Sequence, residues 1–142
     1  MAMENKKILL VEDDQFTREL YEEVLKDAGF MVDTAVDGVD GLSKMTVGGY
    51  NLILLDVMMP KMDGLDVLRE LMNNPPKVKN GPVVLLTNLT NDPVIDTAYG
   101  LNAKGHLVKS DITPGELVEH VKKYTSDSGS AGEQPDSAPD TN

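Results

Sequence analysis

Four apolar runs in this chain of 142 residues end in side chains that could together manage a phosphoryl group. Ile8-Leu9-Leu10-Val11 runs into Glu12-Asp13-Asp14, and Leu52-Ile53-Leu54-Leu55 runs into Asp56. Val83-Val84-Leu85-Leu86 ends in Thr87, and Gly105-His106-Leu107-Val108 ends in Lys109. Carboxylates crowded together raise one another's pKa unless a cation joins them. Mg2+ suits that need, because it binds through one or two carboxylates plus waters and phosphate oxygens. One oxygen of Asp56 would then stay free as a nucleophile, and aspartyl-phosphate formation is a known role for such a carboxylate. A phosphoryl group in transfer spreads negative charge over its oxygens. Mg2+ would cover one oxygen and the Lys109 ammonium another. The Thr87 hydroxyl, or backbone amides near Met58 and Asn88, would meet a third.

These residues converge only if the elements that carry them form one sheet. The first strand covers 7–11. Asp14 caps a helix whose inward residues are Phe16, Leu20, Val24, Leu25 and Ala28, with Gly29 as its stop. Residues 30–35 form a second, more polar strand expected near an edge. Asp37-Gly38 opens a second helix that turns Leu42, Met45 and Val47 inward and ends at Gly48-Gly49. The Asp56 strand is third, and its unbroken apolar run reads as buried on both faces. Asp63-Gly64 opens a third helix with a stripe of Leu65, Leu68, Leu71 and Met72, stopped by Asn73-Asn74-Pro75-Pro76. A basic, flexible-looking loop leads to Gly81. Residues 82–87 make the fourth strand. Asp92-Pro93 supplies a cap and a first-turn proline for the fourth helix, through Val94, Ile95, Ala98 and Leu101. The fifth strand is 105–109. Thr113-Pro114-Gly115-Glu116 has capping-box spacing for the fifth helix, with Leu117, Val118, Val121 and Tyr124 inward.

Strand and helix thus alternate five times, which implies α/β architecture with a parallel sheet and helices on both faces. The expected fold is a flavodoxin-like, doubly wound (βα)5 three-layer sandwich with strand order 2-1-3-4-5. In that order the first and third strands are neighbours, so Asp13 and Asp56 face each other at the switch point, where such sheets bind ligands. Thr87 and Lys109 lie on the far side of Asp56. Residues 126–142 carry four acids and no base and lack periodicity, so they read as a solvated, disordered acidic tail.

Composition narrows the function classes. The formal net charge of −11 argues against nucleic acid as a direct partner. No cysteine is present, so disulfide and thiolate chemistry are excluded, which fits a cytoplasmic location. No apolar run approaches the ~18–20 residues of a transmembrane helix, so no membrane partner is expected. A flavin site would need a Ser/Thr/Gly phosphate loop after the first strand, where this chain has three acids.

The motifs Ile8-Leu9-Leu10-Val11-Glu12-Asp13-Asp14, Asp56-Val57-Met58-Met59-Pro60-Lys61-Met62-Asp63-Gly64, Leu85-Leu86-Thr87 and Gly105-His106-Leu107-Val108-Lys109 occur in the order and spacing of one family. Over about residues 5–125 the chain resembles a response-regulator receiver domain of two-component signalling. The resemblance implies that Asp56 is the phosphoacceptor and that Asp13 ligates Mg2+ with Glu12 assisting. It implies that the Met58 backbone carbonyl completes the protein ligands, that Lys109 contacts the phosphoryl group, and that Thr87 and His106 act as the switch. Four positions depart from the commonest pattern. Ser110 stands where a cis-proline usually follows the lysine, so the bond before it is trans or strained. His106 replaces an aromatic switch residue, and Asn88 replaces a small residue. The stretch 73–81 is long and basic for its connection.

The implied function is a single-domain response regulator rather than an enzyme with turnover. A sensor histidine kinase or phosphotransfer protein would phosphorylate Asp56, and the fourth helix, fifth strand and fifth helix would repack to bind a downstream protein or a second copy. Two alternatives keep the fold. One is an unphosphorylated pseudo-receiver used for docking, and the other is an aspartyl-phosphate phosphatase, which would need a leaving-group acid beside Asp56. Asp14 and Asp63 are read as caps, His106 as a buried or half-buried ring and His120 as solvated.

Overall fold

A computed structural model describes residues 6–88 and 92–126, with the side chain of Asp92 outside the description. The elements are β1 (Lys7–Val11), α1 (Gln15–Asp27), β2 (Met31–Ala35), α2 (Gly38–Val47), β3 (Leu52–Leu55), α3 (Gly64–Asn73), β4 (Val83–Thr87), α4 (Asp92–Gly100), β5 (Gly105–Val108) and α5 (Pro114–Thr125). The five strands form one parallel sheet in the order β2-β1-β3-β4-β5, as the sequence implied. The polar β2 is an edge strand and the apolar β3 is central. Each strand must be joined to a parallel neighbour by a crossover, and the helices that make the crossovers cover both faces.

Alternation along the strands divides the core. Leu9, Val11, Ile53, Leu55 and Leu85 face Met45 of α2, Val67 and Leu68 of α3, and Ile95 and Ala98 of α4. Ile8, Leu10, Leu52, Leu54, Val84, Leu86 and Leu107 face Tyr21 and Leu25 of α1 and Leu117 and Val121 of α5. All four residues of β3 are fully buried. Each such side chain stabilises the fold by roughly 1.5–3 kcal/mol relative to exposure, which explains the unbroken apolar run before Asp56.

Several helix faces differ from the sequence reading. Phe16, Val47 and Met72, all expected inward, are exposed, Phe16 by 76%. Tyr21 and Val67 are buried instead. Helical periodicity locates the centre of an apolar stripe, but its width depends on how closely the neighbours approach, and Phe16 and Val47 lie in the end turns of α1 and α2. Caps match more closely. The Asp14 side chain accepts from the Thr17 amide, and Thr113 and Glu116 form the expected capping box. A second box, Asp63 with Asp66, also fixes the start of α3. The stretch before β4 is tied down rather than loose: Val78 bridges to Gly48, and Asn80 Nδ2 donates to the Met45 carbonyl at 3.0 Å. The expected tail lies, from residue 127 onward, outside the described residues.

Candidate functional site

The site is built at the carboxyl ends of β1, β3, β4 and β5. Val11 pairs with Leu55, so the next residues, Glu12 and Asp56, leave the sheet side by side. The Glu12 amide donates to the Ala35 carbonyl at 3.0 Å, and the Asp56 amide donates to the Val11 carbonyl at 3.2 Å. Both acids are therefore placed by backbone bonds that continue the strand ladder. Arg18, from the second turn of α1, donates to the carbonyls of Glu12 at 2.8 Å and Asp13 at 3.3 Å, fixing the turn after β1.

Two glycines let the loops close over these acids. A Cβ on Gly64 would lie 2.6 Å from the Asp56 carbonyl oxygen and 2.9 Å from the Val57 Cα. A Cβ on Gly38 would lie 1.9 Å from the Met62 carbonyl oxygen. Both approaches forbid any side chain without movement of backbone.

Glu12, Asp13 and Asp56 each bring a carboxylate oxygen within 4.8 Å of the others. Glu12 is 2% and Asp56 4% exposed, while Asp13 faces solvent. Lys109, the first residue of a 3-10 turn at Lys109–Asp111, reaches across the sheet. Its Nζ lies 2.6 Å from Glu12 Oε1 and 3.1 Å from Asp56 Oδ2. Burial opposes its charge, but the Glu12 hydrogen bond and the charges of Asp56 and Glu12 outweigh burial and hold its pKa above the usual lysine value. Burial pushes Glu12 above the ordinary carboxylate range, against the pull of Lys109 and of the Asp14 amide, which donates to Oε2 at 3.0 Å. The other Asp56 oxygen, Oδ1, accepts a long 3.3 Å bond from the Met58 amide.

Three acids and one lysine leave excess negative charge on hard oxygen donors. That donor set fits a hard divalent cation, with solvent access from the Asp13 side. The Met58 carbonyl shares its residue with the amide that meets Asp56. Asp14 is occupied as the cap of α1 and is not part of the cluster.

Thr87 ends β4, fully buried, two residues beyond Leu85, which pairs with Leu55. The structure thus brings Asp56, Thr87 and Lys109 to adjacent strand ends, as expected, with Glu12 and Asp13 on the other flank. His106 lies further back along β5, paired with Leu85, and its Nδ1 is 3.0 Å from the Tyr99 hydroxyl of α4. It is half-buried and bonded to a phenol, as a packing or switch residue would be and not as a member of the carboxylate cluster.

Sequence reasoning missed Arg18, Tyr99 and the partner of Asn88. The Ser110 amide donates to Asn88 Oδ1 at 2.8 Å, and no cis peptide bond occurs among the described residues, so Lys109–Ser110 is trans. The non-proline at 110 and the amide side chain at 88 were the available signals, but nothing in the sequence joined them.

A family model described as "Response regulator receiver domain" matches residues 8–122. Transcriptional regulatory protein HprR of Escherichia coli (strain K12) is 42% identical over 118 residues, 82% of this chain and 50% of that protein. Chemotaxis protein CheY of Treponema pallidum (strain Nichols) is 36% identical over 106 residues, 72% of each chain. Response regulator protein TrrA of Thermotoga maritima, solved in complex with Mg(2+)-BeF, is similar at a TM-score of 0.70 and 34% identity, over 84% of this chain and 98% of that one. The chain spans about half the length of the first curated relatives it matches. Among the described residues, no helix is long and apolar enough to cross a membrane.

Proposed function

This chain belongs to the response regulator receiver domain family, and on that premise we propose that it is phosphorylated on Asp56 and passes the signal by changing what it binds. The observation that carries the reading is Lys109 Nζ, held against both Glu12 and Asp56 beside a three-carboxylate cluster.

A histidine kinase or phosphotransfer protein is the donor. One Asp56 carboxylate oxygen forms a bond to phosphorus, and the phosphorus–nitrogen bond breaks with its electron pair leaving to the donor imidazole. Glu12, Asp13, Asp56 and the Met58 carbonyl would hold Mg2+, which when bound neutralises developing charge on a phosphoryl oxygen. Lys109 moves from Asp56 Oδ2 to the phosphoryl oxygens and keeps their charge matched. The Thr87 hydroxyl donates to a further oxygen.

Phosphorylation adds about −1.5 to −2 units of charge. Drawing Thr87 inward pulls the end of β4, and the Tyr99–His106 contact ties that movement to α4 and β5. The surface of α4, β5 and α5 is then the readout, for a protein target or a second copy of the chain. A ligand shifts such a two-state element only by its differential affinity, so the phosphoryl contacts must differ between the states.

The test is to treat isotopically labelled protein with phosphoramidate and Mg2+ and follow His106 and Tyr99 by NMR. Their signals should move in wild type and stay fixed in Asp56→Asn. Movement in both proteins, or in neither, contradicts the reading.

A further inference from the structure

Two residues that depart from the family pattern bond to each other. Thr87 pairs with Val108 at the end of the β4–β5 ladder, so Asn88 and Lys109 are the first residues past its edge. The chain then turns at Lys109–Asp111, and the residue before this turn supplies no side-chain cap. Proline at 110 would have no amide hydrogen. Serine has one, and the Asn88 Oδ1 accepts it at 2.8 Å, across the mouth of the site. The bond joins the residue after the hydroxyl-bearing Thr87 to the residue after Lys109.

We propose that Asn88 is a positioning residue: its amide oxygen anchors the Ser110 amide and so sets where the Lys109 ammonium meets Asp56. The turn itself holds Lys109 weakly: no side chain caps its start, and the bond from the Ile112 amide to the Lys109 carbonyl is a long 3.4 Å. The lysine side chain is flexible, and its reach to Glu12 and Asp56 depends on where Ser110 fixes the backbone. Loss of the anchor therefore lets the ammonium shift relative to Glu12 and Asp56 while the backbone that carries the acids stays in place.

This inference rests on the phosphoryl-site reading for its rate arm only. The direct arm is competitive acetylation of the folded protein with limiting acetic anhydride, read by mass spectrometry at Lys109 relative to the exposed Lys79. Asn88→Ala should raise Lys109 labelling several-fold. Asn88→Asp, which keeps an acceptor oxygen, should leave it at the wild-type level. Equal labelling in wild type and Asn88→Ala overturns the proposal, as does an Asn88→Asp variant that labels like Asn88→Ala. In the rate arm, Asn88→Ala slows phosphorylation by acetyl phosphate roughly tenfold, less than the ~100-fold that a 1 Å misplacement can cost. The same change should add nothing in a Lys109→Ala background. An equal slowing in that background would assign Asn88 a role that does not pass through Lys109 and overturn the proposal. A wild type that takes no phosphate defeats the phosphoacceptor reading, and labelling still decides the role of Asn88.

Discussion

On the β1–β3 side of the pocket, Glu12 and Asp56 hang from amides bonded into the neighbouring strands, and Gly64 lets α3 close directly on the Asp56 backbone. On the β4–β5 side the ladder ends at Thr87 and Val108, and the side-chain bond between Asn88 and Ser110 crosses the gap beyond it. The acids are thus placed by the same bonds that make the sheet, whereas the cation is placed by a loop and a long side chain. Disturbing the first half should cost stability and activity together. Disturbing the loop of the second, with the lysine kept, should cost activity with little loss of stability.

Lys109→Ala removes the ammonium that joins the two halves at the site, bonded to both Glu12 and Asp56, and should have the largest effect. It leaves Glu12 and Asp56 buried without their cation, and breaking a buried pair from one side costs ~3–5 kcal/mol. Because Lys109 is 15% exposed, the low end, about 3 kcal/mol, is expected from urea unfolding without Mg2+. Gly64→Ala comes next. Its Cβ meets backbone at 2.6 Å, and overpacking of this kind costs ~1–3 kcal/mol. A stable Gly64→Ala variant with unchanged phosphorylation would break the contrast between the halves.

Tyr50→Phe tests the acid half's support at a distance from the site. The Tyr50 hydroxyl donates to Asp33 Oδ2 at 2.7 Å, and a bond to a charged group contributes about 1 kcal/mol when partly exposed. Burial works against the Asp33 charge, but the Tyr50 bond and Lys44 overcome it and hold the pKa below the usual aspartate value. A depressed carboxylate stabilises the fold fully above its unfolded pKa, and that contribution fades as pH falls through the folded value. Tyr50→Phe should therefore lower stability at neutral pH and flatten its acid dependence. An equal loss at all pH values would contradict this account. Asn88→Ala should have the smallest effect on stability, about 0.5–1 kcal/mol, because its bond is exposed.

The same contrast separates what was legible in the sequence from what was not. Strand ends announce themselves: β3 could be read because four buried apolar residues precede Asp56, and the order 2-1-3-4-5 then set Asp13 facing Asp56, although the register puts Glu12 directly beside it. Asp14 and Thr113 were legible as caps because capping is local, within three residues. Asn88 and Ser110 are 22 positions apart and joined by one side-chain bond, which no periodicity encodes. Nothing in the local spacing singles out Arg18, and only the turn of the chain after β1 brings its guanidinium to the Glu12 carbonyl. Phe16 and Val47 followed helical spacing yet are exposed at the helix ends, where spacing alone does not say how far the core extends.

The central claim is that Asp56 accepts a phosphoryl group with the help of a divalent cation. Intact-mass spectrometry after acetyl phosphate, with Mg2+ or with EDTA, tests it most directly. Wild type with Mg2+ should gain the mass of one phosphoryl group, and the EDTA sample and Asp56→Asn should gain none. An unmodified wild type with Mg2+, or an Asp56→Asn variant that gains the same mass, would contradict it.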